Sequence, residues 1–407
     1  MTTGSDRILI VGGGIAGVST ASALRAGGYE GDVTIIDAGE FPYDRPPLSK
    51  SYLAGATDLK QIALQPAEWY DNNRVQLRTL TTVAALRTAE GGIELRDGKM
   101  LPADRVVLAT GGQAARPRLP GVDSDRVHVL RTSDDADRLR DALNRGARVL
   151  VVGGGLIGAE VASTAVDLSC DVVLVDPERL PIAAGVGQEV AAWLHGQHTS
   201  RGIETILGAV ESFTDTGTGI DATITGEAEP RTFDVVVLGV GMVPETTLAK
   251  TAGLEVDRGI VVDPGQVTSN PAILAVGDPT RVRYAGVLAP RAEHWEAAQH
   301  DGQRAAATLL GVPAPAGTAP WFWTDRHHRH IEAVGCMADA QMTVLRGELG
   351  ATAFSTFGFR DGVVVGAVAV DDSNAVRAAR RMIDRALAVD PQRLADTATD
   401  LRKLLRG

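Results

Sequence analysis

One pattern, written twice, constrains this chain more than anything else in it. A short aliphatic run leads into G-x-G-x-x-G, then a small-residue helical stretch, then a second aliphatic run that ends on aspartate. The first copy reads Arg7-Ile8-Leu9-Ile10-Val11, Gly12-Gly13-Gly14-Ile15-Ala16-Gly17, a helix through Ala21–Arg25 stopped at Gly27-Gly28, and Val33-Thr34-Ile35-Ile36 before Asp37. The second reads Arg148–Val152, Gly153-Gly154-Gly155-Leu156-Ile157-Gly158, a helix over Val161–Leu168, and Val172–Val175 before Asp176. Aliphatic runs without polar alternation predict strands buried on both faces of a parallel sheet. Each copy is therefore a βαβ unit, and the chain is expected to be α/β.

The spacing has a physical reading. Gly12 and Gly153 make the tight turn, Gly14 and Gly155 let the backbone approach a pyrophosphate, and Gly17 and Gly158 let helix pack on strand. The helix starts at Ile15-Ala16 and Leu156-Ile157 offer free N–H groups and the positive end of a dipole to phosphate. Asp37 and Asp176 stand where a carboxylate accepts from a ribose hydroxyl. At Asp176 that carboxylate favours a free 2′-hydroxyl and repels a 2′-phosphate, which points to NAD over NADP. Two complete units imply two dinucleotide sites.

The 407 residues give room for two or three domains at ~150 residues each. A net charge of −11 argues against nucleic acid as a partner, since phosphate backbones want a basic face. No apolar run approaches the ~18 residues that span a bilayer, and Met1–Asp6 has neither a basic nor an apolar leader region. The only cysteines, Cys170 and Cys336, are far apart, so neither a disulfide framework nor a thiolate metal site is expected. A reducing cytoplasm fits.

Between the two units, Tyr43-Asp44-Arg45-Pro46-Pro47-Leu48-Ser49-Lys50 reads as a stiff extended approach, with Ser49 capping a helix over Lys50–Leu53. Arg45 and Lys50 suit either a rigid surface turn or a cofactor. A β-meander is expected around Gly91-Gly92 and Asp97-Gly98. Val106–Leu108 runs into Ala109-Thr110-Gly111-Gly112, the small residues a close backbone approach to a ligand needs. Phe233–Gly241 closes the second unit, with Gly241 beside its nucleotide. Ile273–Val276 ends in Gly277-Asp278, where the acid suits a polyol hydroxyl and the glycine N–H a phosphate. Glu293-His294-Trp295 opens an amphipathic helix to Leu310, and a proline-rich linker follows to Pro320. Three of the five tryptophans, Trp295, Trp321 and Trp323, cluster beside that linker and suit the edge of a planar ligand. Arg326-His327-His328-Arg329-His330 lacks the accompanying carboxylates of a metal motif and reads as a partly exposed basic stretch. Val376–Leu405 reads as two helices split near Asp390-Pro391.

Together these pieces resemble one family nearly end to end. Val11–Gly17, Y-D-R-P-P-L-S-K at Tyr43–Lys50, A-T-G-G at Ala109–Gly112, V-G-G-G-L-I-G-A-E at Val152–Glu160, Gly277-Asp278, Arg291–Trp295, W-F-W-T-D at Trp321–Asp325 and Asp390-Pro391 are similar to the FAD-dependent NADH:ferredoxin reductases that serve oxygenases and cytochromes P450, the putidaredoxin-reductase-like group. Glutathione-reductase relatives carry C-x-x-x-x-C near the first of these stretches; this chain has no cysteine there.

The resemblance implies two Rossmann-like domains of glutathione-reductase type plus a small C-terminal α/β domain. The expected spans are 1–112 and 246–320 for FAD, 113–245 for NAD, and 321–407 for the C-terminal domain. It implies that Gly12, Gly14, Gly17 and Asp37 hold the FAD adenosine diphosphate, that Arg45 and Lys50 lie along the cofactor with Lys50 near the flavin ring, and that Asp278 bonds the ribityl chain. Glu293, His294, Trp295 and one of Trp321 or Trp323 go with the isoalloxazine; Glu160 lies near the nicotinamide and pairs with Lys50. The activity implied is electron passage from NADH through FAD to a ferredoxin-type iron–sulfur protein. An NADH oxidase or quinone reductase of the same fold is the alternative, and a flavin-dependent redox sensor a more distant one. Where the family commonly has Q-[AG]-R, this chain has Asp301-Gly302-Gln303, so an arginine that often faces the ferredoxin is absent.

Overall fold

The computed structural model describes residues 6–87 and 90–405; the outer ends of the expected domains, 1–5 and 406–407, and residues 88–89 lie outside it. The chain forms two compact units, each assembled from separate segments. One comprises Met1–Arg45, Asp58–Gln113 and Met242–Gly317, the other Pro46–Thr57, Ala114–Gly241 and Thr318–Gly407.

In the first unit the strands Ile273–Ala275, Arg105–Leu108, Ile8–Val11, Val33–Ile36 and Val75–Arg78 form a five-stranded sheet in that spatial order, all parallel, with Ile8 opposite Val33 and Arg105. Ile8–Val11 and Val33–Ile36 are buried at every position, as uninterrupted aliphatic runs dictate. Alternate side chains serve two cores. Ile8, Ile10, Val33 and Ile35 pack with Val18, Ala21 and Leu24 of the helix Ile15–Ala26 and with Ala305 and Leu309 of the helix Trp295–Leu310. Leu9, Val11, Ile36 and Val106 pack on the opposite face against Leu86, Ile93, Leu95, Ile260 and Val262. Each such burial contributes on the order of 2 kcal/mol. The expected meander is present as Val83–Arg87, Gly92–Leu95 and Met100–Pro102.

The second unit repeats the parallel plan. Glu204–Leu207, Asp171–Asp176, Arg148–Val152, Val235–Leu238 and Val127–Val129 lie in that order. The helix Leu156–Asp167 follows the glycine turn, and a capping box between Thr132 and Asp135 starts the helix Ser133–Ala142. A five-stranded antiparallel sheet completes the unit, ordered Trp321–Arg326, Arg329–Gly335, Val363–Val370, Phe354–Arg360 and Met342–Arg346. The helix Ser373–Asp384 covers one face through Val376, Ala379 and Met382.

This sheet does not stand apart as a separate compact body. Its other face, through Ile331, Ala333, Phe354 and Val368, shares one core with Val186, Val190 and Leu194 of the nucleotide half. Pro46–Thr57 also belongs to this unit. Ser49 caps no helix: Pro46–Ser49 is a single 3-10 turn followed by turns, because the Ser49 hydroxyl is spent on Glu160. The tail forms three helices where two were expected, Ser373–Asp384, Pro391–Ala395 and Leu401–Leu404. Asp390 and Asp400 each accept from an amide two residues on and so start a new helix.

Candidate functional site

Both glycine turns fold as their sequences require. Gly12 sits at φ +115°, and a Cβ on Gly17 would lie 2.0 Å from the Gly12 carbonyl oxygen, so helix and strand meet at a distance only glycine permits. The second turn repeats this, with 1.9 Å between a Cβ on Gly158 and the Gly153 oxygen. No side chain caps the helix starts at Gly14 and Gly155, so their first amides point outward without a protein acceptor from a cap. A Cβ built on Gly155 meets nothing within 4 Å; one built on Gly14 would lie 3.6 Å from Nη1 of Arg45. An open cradle at a dipole's positive end, with a guanidinium beside the first copy, fits the pyrophosphate of a dinucleotide.

The acids are held with matching geometry. The Asp37 carboxylate accepts the Gly13 N–H and, at 2.7 Å, the Gly39 N–H. Asp176 accepts the Gly154 N–H at 2.6 Å and the Glu178 N–H at 2.7 Å. A carboxylate has about four acceptor sites, so each retains capacity for a ribose. The residues of the first turn thus fit FAD and those of the second fit NADH.

Around the first turn, the Ala109 carbonyl oxygen is the atom a Gly12 side chain would strike, and the Thr110 hydroxyl donates to the Glu245 carbonyl at 2.9 Å. Gly111 follows at φ +65°. Trp295 Nε1 donates to Asp44 at 2.7 Å, and the Asp44 N–H donates to the Ile62 carbonyl at 2.8 Å, which fixes the loop that carries Arg45. Glu293 pairs with Arg291 at 2.5 Å, and burial holds the His294 imidazole below its usual pKa. The sequence suggests a phosphate as the partner of the Gly277 N–H. That N–H donates to Asp301 at 3.3 Å, and Asp278 follows it on the same turn.

In the second unit Glu160 is the centre of a polar knot. Its carboxylate is buried and pairs with Lys50 at 2.8 Å. It also accepts from the hydroxyls of Ser49 at 2.5 Å and Thr324 at 2.7 Å and from the Asp325 N–H at 3.1 Å. The expected Lys50–Glu160 pair is therefore present. Thr324 and Asp325, inside the motif W-F-W-T-D, carry no role of their own in the sequence reading, and Ser49, inside R-P-P-L-S-K, carries only that of a helix cap. Trp321 and Trp323 stack with centroids 4.9 Å apart, and Trp321 Nε1 donates to Glu332 at 3.1 Å.

The basic stretch is partly exposed, as expected, at His328, Arg329 and His330, but not at Arg326 and His327. Arg326 is only 3% exposed, and burial lowers its pKa to about 10. His327 is buried too and meets His198 at 2.9 Å, ring nitrogen to ring nitrogen. Burial first, and then the Arg326 charge, holds both rings below their usual range, so both are neutral at pH 7. Arg329 pairs with Asp371 at 2.6 Å and donates to the Ala351 and Thr352 carbonyls. In the strand Trp321–Arg326 alternate residues face inward, and Arg326 falls in phase with buried Thr324.

Of the expected site residues, Gly12, Gly14, Ile15, Ala16, Gly17, Asp37, Arg45, Ala109–Gly111, Gly277, Asp278 and Glu293–Trp295 lie in the first unit. Lys50, Gly153, Gly155–Gly158, Glu160, Asp176, Gly241, Trp321 and Trp323 lie in the second. Ile157 and Gly241 are exposed.

A family model described as pyridine nucleotide-disulphide oxidoreductase matches residues 6–302, and one described as reductase C-terminal matches 321–405. The chain is 37% identical to the ferredoxin–NAD(+) reductase component of an anthranilate 1,2-dioxygenase system from Burkholderia cepacia, over 98% of this chain and 100% of that one. It is 33% identical to putidaredoxin reductase CamA from Pseudomonas putida, over 98% and 97% respectively. Its fold matches the reductase in a crystal structure of a covalent putidaredoxin reductase–putidaredoxin complex, with a TM-score of 0.91, 31% identity and 98% coverage of both chains.

Proposed function

The chain belongs to the pyridine nucleotide-disulphide oxidoreductase family, and on that premise we propose that it passes electrons from NADH through FAD to a ferredoxin-type iron–sulfur protein serving an oxygenase or a cytochrome P450. One observation carries the reading: a single chain holds two uncapped glycine cradles, each with a carboxylate pinned by the amide of the middle glycine. FAD, when bound, takes hydride from NADH and releases electrons singly.

The residues of the chain bind and orient. Gly14 and the helix start at Ile15-Ala16, with Arg45 beside them, receive the FAD pyrophosphate; Asp37 receives its ribose. Gly155 and the helix start at Leu156-Ile157 receive NADH, with Asp176 on the adenine ribose. Lys50, held by Glu160, supplies a fixed cation to the flavin ring, with Glu160 near the nicotinamide. Cys170 and Cys336 are free thiols distant in sequence, and Arg45–Lys50 contains no cysteine, so no disulfide relays the electrons. Among the described residues no helix is long and apolar enough to cross a membrane. The cytoplasm, where NADH is regenerated, is the compartment that goes with this reading.

The purified protein should be yellow with non-covalent FAD, and NADH turnover with a ferredoxin should far exceed turnover with oxygen or a quinone. Failure to take up FAD on reconstitution would overturn the reading, and equal turnover with oxygen would replace the acceptor.

A further inference from the structure

The helix Trp295–Leu310 carries a buried carboxylate that the assignments above leave unused. Asp301 is 8% exposed, and three donors converge on it. The Gly277 N–H reaches one oxygen at 3.3 Å, while Gln266 Nε2 at 3.1 Å and Arg304 Nη1 at 3.3 Å reach the other. Packing here leaves no slack. A Cβ on Gly277 would lie 2.9 Å from the Ala16 Cβ, and one on the neighbouring Gly302 would lie 2.6 Å from the Ala16 carbonyl oxygen. Ala16 belongs to the uncapped helix start that receives the FAD pyrophosphate. Asp301 thus joins the Gly277–Asp278 turn to a helix that is itself wedged against that cradle.

We propose that Asp301 is a positioning residue for the flavin, holding the Gly277–Asp278 turn in place through the Gly277 N–H. The proposal rests on the reading of that turn and of the first glycine turn as the FAD site.

The acceptor is sensitive to protonation. Burial pushes the Asp301 carboxyl up to about 6; Arg304 and the Gly277 N–H draw it down, and Asp278 pushes it further up. Opposite Gly302, the helix Ile15–Ala26 presents Ala16 and Thr20, neither of which titrates. Gln266 is neutral and fully buried, and its Oε1 has no partner. Once protonated, Asp301 loses its charge-assisted hold on Gly277.

The test uses the FAD-loaded protein and follows flavin fluorescence on release after dilution, from pH 5 to 8. Release from the parent should be roughly three- to tenfold faster at pH 5 than at pH 7.5, the range expected for weakening one hydrogen bond. Asp301→Asn should release FAD at a rate that no longer changes through pH 6. Arg304→Gln removes a partly exposed cation and should move the midpoint to higher pH. Melting of the two variants without FAD separates this role from a general loss of stability. An Asp301→Asn profile identical to the parent's, or a midpoint unmoved in Arg304→Gln, overturns the proposal while the proposed function stands. Should Asp301→Asn not fold, the Arg304→Gln midpoint alone decides. A parent that takes up no FAD overturns the proposed function itself.

Discussion

The Asp176 carboxylate accepts the Gly154 amide N–H at 2.6 Å. Asp37 makes the same bond to Gly13 in the other unit. The middle glycine of each G-G-G therefore does more than keep the turn small: its amide fixes where the acid at the end of the second strand points. A second amide, from Glu178 and from Gly39 respectively, removes the remaining rotation. Both acids are thus oriented before any nucleotide arrives.

A fixed carboxylate discriminates between nucleotides. A 2′-phosphate at Asp176 would bring like charges within a few Å. NADH should therefore exceed NADPH by about 1–3 kcal/mol, tenfold or more in kcat/KM. Asp176→Ala should narrow the gap, at some cost to NADH itself. Equal efficiency of the parent with both nucleotides would mean that Asp176 does not face the ribose.

Lys50→Met should slow flavin reduction by NADH about tenfold or more, about 1.4 kcal/mol in the barrier, while FAD affinity changes little. The fold should survive, because Glu160 keeps three donors from Ser49, Thr324 and Asp325. Lys50→Arg should recover part of the rate. Stopped-flow reduction is the measurement, and a rate equal to the parent's would reduce Lys50 to an anchor for Glu160.

The antiparallel sheet carries its own pH dependence. His330 bonds Asp325 at 2.6 Å and lies 3.5 Å from Glu332, and its pKa is raised to about 10, first by the Asp325 hydrogen bond and then by that of Glu332. Unfolded, it would lose its proton near ~6.5. The folded state binds that proton more tightly, so the stabilisation is complete below ~6.5 and is lost as pH rises towards 10. The Tm should fall between pH 7 and 9.5, and less so in His330→Gln. A parallel fall in both would assign the loss to other groups.

What the sequence disclosed and what it hid divide along physical lines. The βαβ units were legible because glycine spacing and unbroken aliphatic runs each admit few structures. The Lys50–Glu160 pair was legible through resemblance alone, since the two residues are far apart in the chain. Ser49 was misread because a hydroxyl after two prolines suits a local cap, and only the tertiary fold brings Glu160 to compete for it. Arg326 was misread for a related reason. Five polar residues in a row suggest a solvated stretch, but Arg326 ends a strand in phase with buried Thr324, and in the hairpin turn that follows His327 is buried as well. Asp301 carried a faint signal as a departure from a common motif, yet nothing local showed that it would reach Gly277.

The burial of Arg326 also changes where an acidic iron–sulfur partner would dock. In a chain of net charge −11, long-range repulsion must be offset by a local basic face. Arg326 and Arg329 are committed inside the fold, so Arg326→Glu should prevent folding by burying an unpaired negative charge among His198 and His327, not alter docking. Arg380 is likewise tied to Thr318 at 2.7 Å. Arg377 and Arg381 remain exposed one turn apart on the helix Ser373–Asp384. Raising salt should slow electron transfer to ferredoxin but leave NADH-to-ferricyanide turnover nearly unchanged, since a small oxidant needs no docking face. Arg377→Glu with Arg381→Glu should reproduce the salt effect at low ionic strength, lowering the ferredoxin rate roughly three- to tenfold through the encounter step. If the double variant reduces ferredoxin like the parent and with the same salt dependence, this helix face is only solvated, and the partner approaches elsewhere.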